Sequence, residues 1–211
     1  MRIAVLGTGM VGRALAPALA RLGHEVVVGT RNPDETRARE DWSLDLPLLG
    51  FDTVADGADL VVNATNGQES LIALGAAADH LAGTVLLDVA NPLDFSAGFP
   101  PTLLVKDTDS LAEQIQRAFP RARVVKSLNT VNCRVMVEPG RVGEGDTTMF
   151  VAGDDPSARA MVVGLLRELG WQDVIELEEL AAARGMEMWL PLWVRLMGRL
   201  GTPDFNIRVV R

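Results

Sequence analysis

Six residues near the amino terminus carry the clearest chemistry in this sequence. Gly7-Thr8-Gly9-Met10-Val11-Gly12 is a G-x-G-x-x-G run. It follows Arg2–Leu6 (RIAVL), a continuous β-prone apolar segment, and opens a stretch of helical spacing from Met10 to Leu22. Strand, glycine turn and helix form the context in which such a run binds a dinucleotide. Gly7 permits the tight turn, Gly9 lets backbone approach the pyrophosphate, and Gly12 lets helix and strand pack closely. The helix N-terminus offers free N–H groups and the positive end of its dipole to the phosphates. A glycine-rich turn with no ligand is the competing reading, and the flanking strand and helix favour the dinucleotide.

The end of the second strand distinguishes the two nicotinamide dinucleotides. NAD-selective sites place Asp or Glu there to hold the ribose 2′-OH. Here Gly29-Thr30-Arg31-Asn32 follows Glu25 to Val28, with no carboxylate at the strand end. A hydroxyl from Thr30 beside the guanidinium of Arg31 suits a 2′-phosphate, which a carboxylate would repel. The expected cofactor is NADP(H). Arg31 as a plain solvated loop residue is the weaker alternative.

Three further strand ends carry polar residues, in the region where open α/β sheets bind ligands. Asn63, Ala64 and Thr65 close one strand, Asn91 lies in Asp88 to Pro92 (DVANP), and Asn129, Thr130 and Val131 lie in Lys126 to Asn132 (KSLNTVN). Convergence of these residues on the nicotinamide is one reading; helix caps and turns explain isolated Asn residues equally well. Lys126 is expected to neutralise a carboxylate rather than act as an acid. Cys133 is expected to be a packed small residue, since no histidine accompanies it. The chain has no tyrosine, two histidines and one cysteine. That removes any Tyr general acid, leaves no zinc-type cluster, and gives no candidate catalytic or metal-binding side chain.

The elements that must position these residues alternate. After the first βα unit come a polar helix or loop at Asn32 to Arg39, a short helix at Thr53 to Asp59, and a strand at Leu60 to Val62. A helix at Gln68 to Leu81, a strand at Thr84 to Val89, a proline-rich loop at Asn91 to Pro101 and a helix at Ser110 to Phe119 capped by Asp109 follow, with a strand at Val124-Val125. Such alternation predicts an α/β, Rossmann-type, doubly wound and mostly parallel sheet. Glu138 to Asp146 (EPGRVGEGD) marks a boundary between residues 1–144, the dinucleotide domain, and residues 145–211, a small C-terminal α/β unit. In that unit Met186, Trp189, Leu190, Trp193, Leu196, Met197 and Leu200 make a wide apolar helical face, kinked or restarted near Pro191. The face suits core packing, a subunit interface or a pocket for a flat ring.

Of the 211 residues, 48% are apolar and 23% charged, with a net charge of −8. The balance is that of a globular chain, and its acidity disfavours nucleic acid and anionic membranes as partners. No apolar stretch reaches the length of a membrane span, so a cytoplasmic location is expected.

Taken together, MRIAVLGTGMVG, HEVVVGTRNP, KSLNTV, FVAGDD and the ELAAAR segment resemble the NADP-dependent oxidoreductases of the 5-deazaflavin coenzyme F420 over nearly all of the chain. The resemblance implies direct hydride transfer between nicotinamide C4 and deazaflavin C5, with no essential side-chain acid or base. It places Thr8 to Val11 and Thr30-Arg31 on the nucleotide, and Asn63 to Thr65 and Asn129 to Val131 near the nicotinamide. The C-terminus departs from the family's glycine and apolar pattern at Asp204-Phe205-Asn206-Ile207-Arg208, so a flavin stands beside F420 as second substrate. Other readings are reduction of a small carbonyl or imine, or a non-catalytic NADPH sensor. A homodimer is expected from the last helix.

Overall fold

The computed structural model describes all 211 residues, Met1–Arg211. The first βα unit forms as its pattern predicts: β1 (Arg2–Leu6) is buried on both faces apart from its first residue, and α1 (Met10–Arg21) buries Leu15, Ala16, Ala18 and Leu19. β2 (Glu25–Thr30), α2 (Pro33–Arg37), β3 (Leu48–Gly50), α3 (Phe51–Val54) and β4 (Leu60–Asn63) follow. Next come α4 (Ser70–Ala76), β5 (Val85–Asp88), the two-residue strands β6 (Leu93–Asp94) and β7 (Thr102–Leu103), α5 (Leu111–Ala118) and β8 (Arg123–Ser127). α6 (Cys133–Val137), β9 (Thr148–Gly153), α7 (Pro156–Glu168), β10 (Asp173–Glu176), α8 (Ala183–Met188) and α9 (Leu190–Leu200) complete the chain.

Eight strands form one sheet in the order β10-β9-β8-β5-β4-β1-β2-β3, and β6 pairs with β7 apart from it. The run from β3 to β8 is parallel throughout. The order reverses between β1 and β4, so a crevice opens there beyond the carboxyl ends of the strands. β9 lies antiparallel to β8, and β10 parallel to β9. The sheet therefore continues across the expected boundary at residues 144 and 145. The reversal also carries Asp154-Asp155 to the opposite edge from the crevice. There Asp155 caps α7 and Asp154 accepts the Leu180 N–H, so both are structural.

Local differences from the predicted elements have visible causes. Ser110, not Asp109, caps α5: its hydroxyl accepts the Glu113 N–H, while Asp109 pairs with Arg117. α4 starts late because an Asx turn at Asn66 holds the preceding residues, and it gives way to a 3-10 turn at Ala78–His80. The Met/Trp stripe is split by a restart, with Pro191 in the first turn of α9 where its missing N–H costs nothing.

Two apolar clusters cover the sheet. One packs α1, α6 and α7 on one face and includes Trp171; the other packs α4 and α5 on the opposite face.

A dinucleotide crevice and its apolar extension

The glycine turn divides into two tasks. Gly7 sits at φ +119°, and a Cβ on it would strike the carbonyl of Ala64; a Cβ on Gly12 would strike the carbonyl of Gly7. These two glycines are demanded by packing. Gly9 has an ordinary extended backbone, and a Cβ on it meets nothing within 4 Å. Its missing side chain leaves room on the crevice side. No side chain caps α1 and no acidic residue stands in its first turn, so its leading N–H groups remain available to an anion. A dinucleotide pyrophosphate fits this cradle.

A cavity lies on either side of the turn. One, of about 530 Å³, is lined by Gly7, Thr8, Gly9, Thr30, Arg31 and Phe51 among others. The second, of about 420 Å³, takes in Met10, Val11, Asn91, Asn129, Val131, Cys133 and Trp193. Both share Gly9, Ala64, Thr65 and Asn66, so they form one trough with the glycine turn at its waist. An adenosine half and a nicotinamide half would occupy its two arms.

Arg31 lines the adenosine arm with 78% of its side chain exposed, and its ion-pair partner is Glu69 at 3.3 Å. An exposed contact of that length holds it weakly, so its guanidinium is free to meet a phosphate. Thr30 lines the same arm, and its hydroxyl lies 2.8 Å from the Thr36 hydroxyl, bracing the strand end. A second cation was not visible in the spacing. Arg39 donates to the Thr8 hydroxyl at 2.9 Å and grips Asp41 with two nitrogens. Arg13 of α1 binds the same carboxylate. The Asp41 carboxyl is held below its ordinary range, chiefly through its hydrogen bond with Arg39. The loop around residue 40 is thereby clasped to the glycine turn, and no short-range motif announces it.

Around the nicotinamide arm, the predicted residues separate into wall and support. Ala64, Thr65, Asn91, Asn129 and Val131 reach the cavity, whereas Asn63 and Thr130 lie behind it. Asn91 and Asn129 lace two strand ends together: each side-chain amide donates to the other residue, at 2.9 and 3.0 Å. Asn63 holds Thr65 through its carbonyl oxygen at 2.6 Å and donates to Asp88 at 2.8 Å. Lys126 then spans Asp88 at 2.7 Å, Glu187 at 2.8 Å and the Ala90 carbonyl at 2.5 Å. These three charged side chains are at most 2% exposed. Glu187 also accepts the Leu111 and Ala112 N–H groups at the start of α5. Lys126 thus neutralises carboxylates, as its sequence position suggested. Burial holds the Glu187 carboxyl above its ordinary range, against the pull of Lys126.

The only ionisable side chain on the wall of this arm is Cys133, whose thiol burial pushes upward. Trp193 and Leu190 of α9, with Leu93 and Phe95 of the β6–β7 ribbon, extend the wall in apolar material beyond the strand ends. Trp193 stacks on Phe205 with ring centres 5.3 Å apart. Two flat rings could lie in succession along such a surface, with no carboxyl, imidazole or amine facing them.

Comparison with known proteins agrees with this geometry. Residues 2–92 match the family model described as NADP oxidoreductase coenzyme F420-dependent. The F420-dependent NADP reductase of Methanocaldococcus jannaschii is 25% identical over 221 residues, covering 99% of this chain and 98% of that protein. Rat metalloreductase STEAP3 is 29% identical over 196 residues, yet the chain spans only 38% of its length. A crystal structure of a candidate F420-dependent NADP reductase from Arthrobacter sp. FB24 is 56% identical, covers all of both chains and superposes with a TM-score of 0.97. The chain therefore belongs to the coenzyme F420-dependent NADP oxidoreductases.

Proposed function

We propose that the protein transfers a hydride between NADP(H) and a flat deazaflavin or flavin acceptor, with F420 as the leading candidate. One observation carries this reading: the trough has a nicotinamide arm that continues into an apolar wall and presents no acid–base pair. When bound, the nicotinamide supplies the hydride and the acceptor ring receives it. The chain's own residues have four tasks. The glycine turn and α1 hold the pyrophosphate, Arg31 neutralises the 2′-phosphate, and Arg39 keeps Thr8 in place beside it. The Asn91–Asn129 pair fixes the floor, and Trp193 and Leu190 exclude water above it. Hydride transfer needs reacting atoms about 3–3.5 Å apart and aligned, and a rigid floor with an apolar roof favours that approach. Reduction of a carbonyl or imine would need a proton delivered to oxygen or nitrogen, and a thiol shifted upward is poorly suited to deliver it.

The same reading takes residues 145–211 as the part that supplies the acceptor wall and a dimer contact, through α9. It takes the cytoplasm as the site of action, consistent with the absence of any helix long and apolar enough to cross a membrane. The test is to follow NADPH oxidation with F420, FMN and riboflavin in turn, against NADH as donor. Turnover with a deazaflavin or flavin, and preference for NADPH, is the expected result. Tight NADPH binding with no turnover on any of these acceptors would overturn the reading in favour of a sensor.

A further inference from the structure

The adenosine arm is lined by one cation, one carboxylate and no other charge: among its lining residues only Arg31 and Glu69 carry ionisable side chains. Arg31 follows β2 and Glu69 precedes α4. β1 lies between β2 and β4 in the sheet, so the loops that carry the two residues face each other across the glycine turn. The guanidinium meets the carboxylate at 3.3 Å, with both groups open to solvent. The other carboxylate near the turn, Asp41, is held by Arg13 and Arg39 and does not line the arm.

Glu69 is fixed in its backbone and free in its side chain. Its N–H donates to the Asn66 carbonyl at 2.9 Å, and its own carbonyl accepts the Ala73 N–H at 2.9 Å. The next residue, Ser70, is fully buried, and its hydroxyl meets Asn63 and Thr65, each at 3.0 Å. Glu69 occupies the N-cap of α4, yet its carboxylate accepts no backbone N–H there. A capping side chain would turn its oxygen onto the helix; this one meets the guanidinium instead. NAD-selective sites carry an acid at the end of the second strand. β2 lacks it, and a carboxylate reaches the same arm from the start of α4.

We propose that Glu69 is a specificity-determining residue, a counter-charge that limits how strongly the arm favours NADP(H) over NAD(H). A 2′-phosphate must displace Glu69 from Arg31, and it then stands beside the negative charge it displaced. A ribose 2′-hydroxyl is neutral, so NAD(H) leaves the Arg31–Glu69 pair intact. The discrimination supplied by Arg31 is therefore graded, and NAD(H) is admitted as the weaker cofactor. The proposal rests on the NADP(H) assignment of this arm and names the residue that tempers its selectivity. Exposed ion pairs are weak, whereas the phosphate carries about two negative charges, so the effect is several-fold rather than orders of magnitude.

Dissociation constants for NADPH and NADH, read by quenching of tryptophan fluorescence, need neither an acceptor nor turnover. In Glu69→Gln at low salt, NADPH should bind roughly five-fold more tightly than in the parent protein, since release of an exposed pair and removal of one repulsion each contribute modestly. NADH affinity and the melting temperature should be unchanged. The gain should shrink as salt rises, because both groups are exposed to screening. An unchanged or weaker NADPH affinity in Glu69→Gln, an equal gain for NADH, or a gain indifferent to salt would each overturn the proposal. Arg31→Ala separates it from the cofactor assignment. If Arg31→Ala removes the NADPH preference while Glu69→Gln leaves that preference as it was, the arm binds the 2′-phosphate and only the role of Glu69 fails. If Arg31→Ala leaves the preference intact, the phosphate is held elsewhere, and the proposal falls with the assignment.

Discussion

At the residue scale, the three glycines of the turn are not equivalent, and their differences can be measured. Gly9→Val places a branched side chain where nothing stands within 4 Å and where the backbone is already extended. The fold should persist, with an unchanged melting temperature, while the methyl groups occupy the pyrophosphate position and NADPH affinity is lost. Gly12→Ala meets the Gly7 carbonyl instead, so it should lower the melting temperature before affinity is considered. Undiminished NADPH binding by Gly9→Val would show that the turn is idle. The 2′-phosphate has a similar partition. Arg31→Ala should remove most of the preference for NADPH over NADH, roughly ten-fold or more, since hydrogen bonds to charged groups are worth about 1.5–3 kcal/mol. Arg39→Ala should weaken both dinucleotides, because its side chain also holds Thr8 in place. Equal NADPH and NADH affinities in the parent protein would defeat the electrostatic assignment. Arg31 was legible in the sequence because strand-end chemistry is local. Arg39 was not, because 31 residues separate it from Thr8 and only the folded loop brings them together. The contact of the Thr30 hydroxyl with Thr36 was hidden for a related reason: Thr36 becomes a neighbour only once α2 forms.

At the element scale, the Lys126–Asp88–Glu187 cluster joins β8, β5, α8 and the start of α5 behind the nicotinamide arm. Lys126→Met would leave two buried carboxylates without their cation, and removal of one partner from a buried pair typically costs about 3–5 kcal/mol. A fall in stability of that order, read by denaturant unfolding, is expected; a change under 1 kcal/mol would mean the cluster is not coupled. Its pH dependence has a definite sign. Glu187 has a folded-state pKa raised above its unfolded value, with burial as the first cause. Its contribution to stability is therefore fully present below the ordinary glutamate range, and is lost as pH rises through the folded value. Glu187→Gln abolishes that titration, so stability of the parent relative to the variant should decline as pH rises from the ordinary glutamate range. Subtracting the two unfolding curves cancels the remaining carboxylates, and a difference independent of pH would contradict the assignment. The sequence identified Lys126 as a neutralising cation but could not name its partners. Glu187 lies 61 residues away on a helix that reads as an apolar stripe. β3 was missed on similar grounds. Three residues between Pro47 and Phe51 carry no period of their own, and they become a strand only by pairing with Val28–Thr30.

At the scale of the whole molecule, the parallel half of the sheet was legible because each buried strand is a short apolar run closed by a turn, a signal contained within each βα unit. The relation of the last 67 residues to it was not. A loop rich in glycine and proline looks the same whether the chain leaves the sheet or folds back against it. Here it folds back: Val125, Lys126 and Ser127 pair with Gly153, Ala152 and Val151. Trp171 packs into the same apolar cluster as Ile3 and Leu15, with its indole N–H on the Met136 carbonyl at 3.1 Å. Glu187 supplies one of the two carboxylates around Lys126, and α9 supplies part of the apolar wall of the crevice. Cutting after residue 144 would leave β8 as a bare edge, open one face of the core, and strand the N–H groups of Leu111 and Ala112 without their acceptor. The fragment 1–144 should therefore show no cooperative thermal transition by circular dichroism and no enhancement of NADPH fluorescence. Addition of the separate 145–211 segment should restore neither unless the two assemble. A fragment that melts cooperatively and binds NADPH would show that the dinucleotide half is an independent domain, and that the reversed strands merely rest against it.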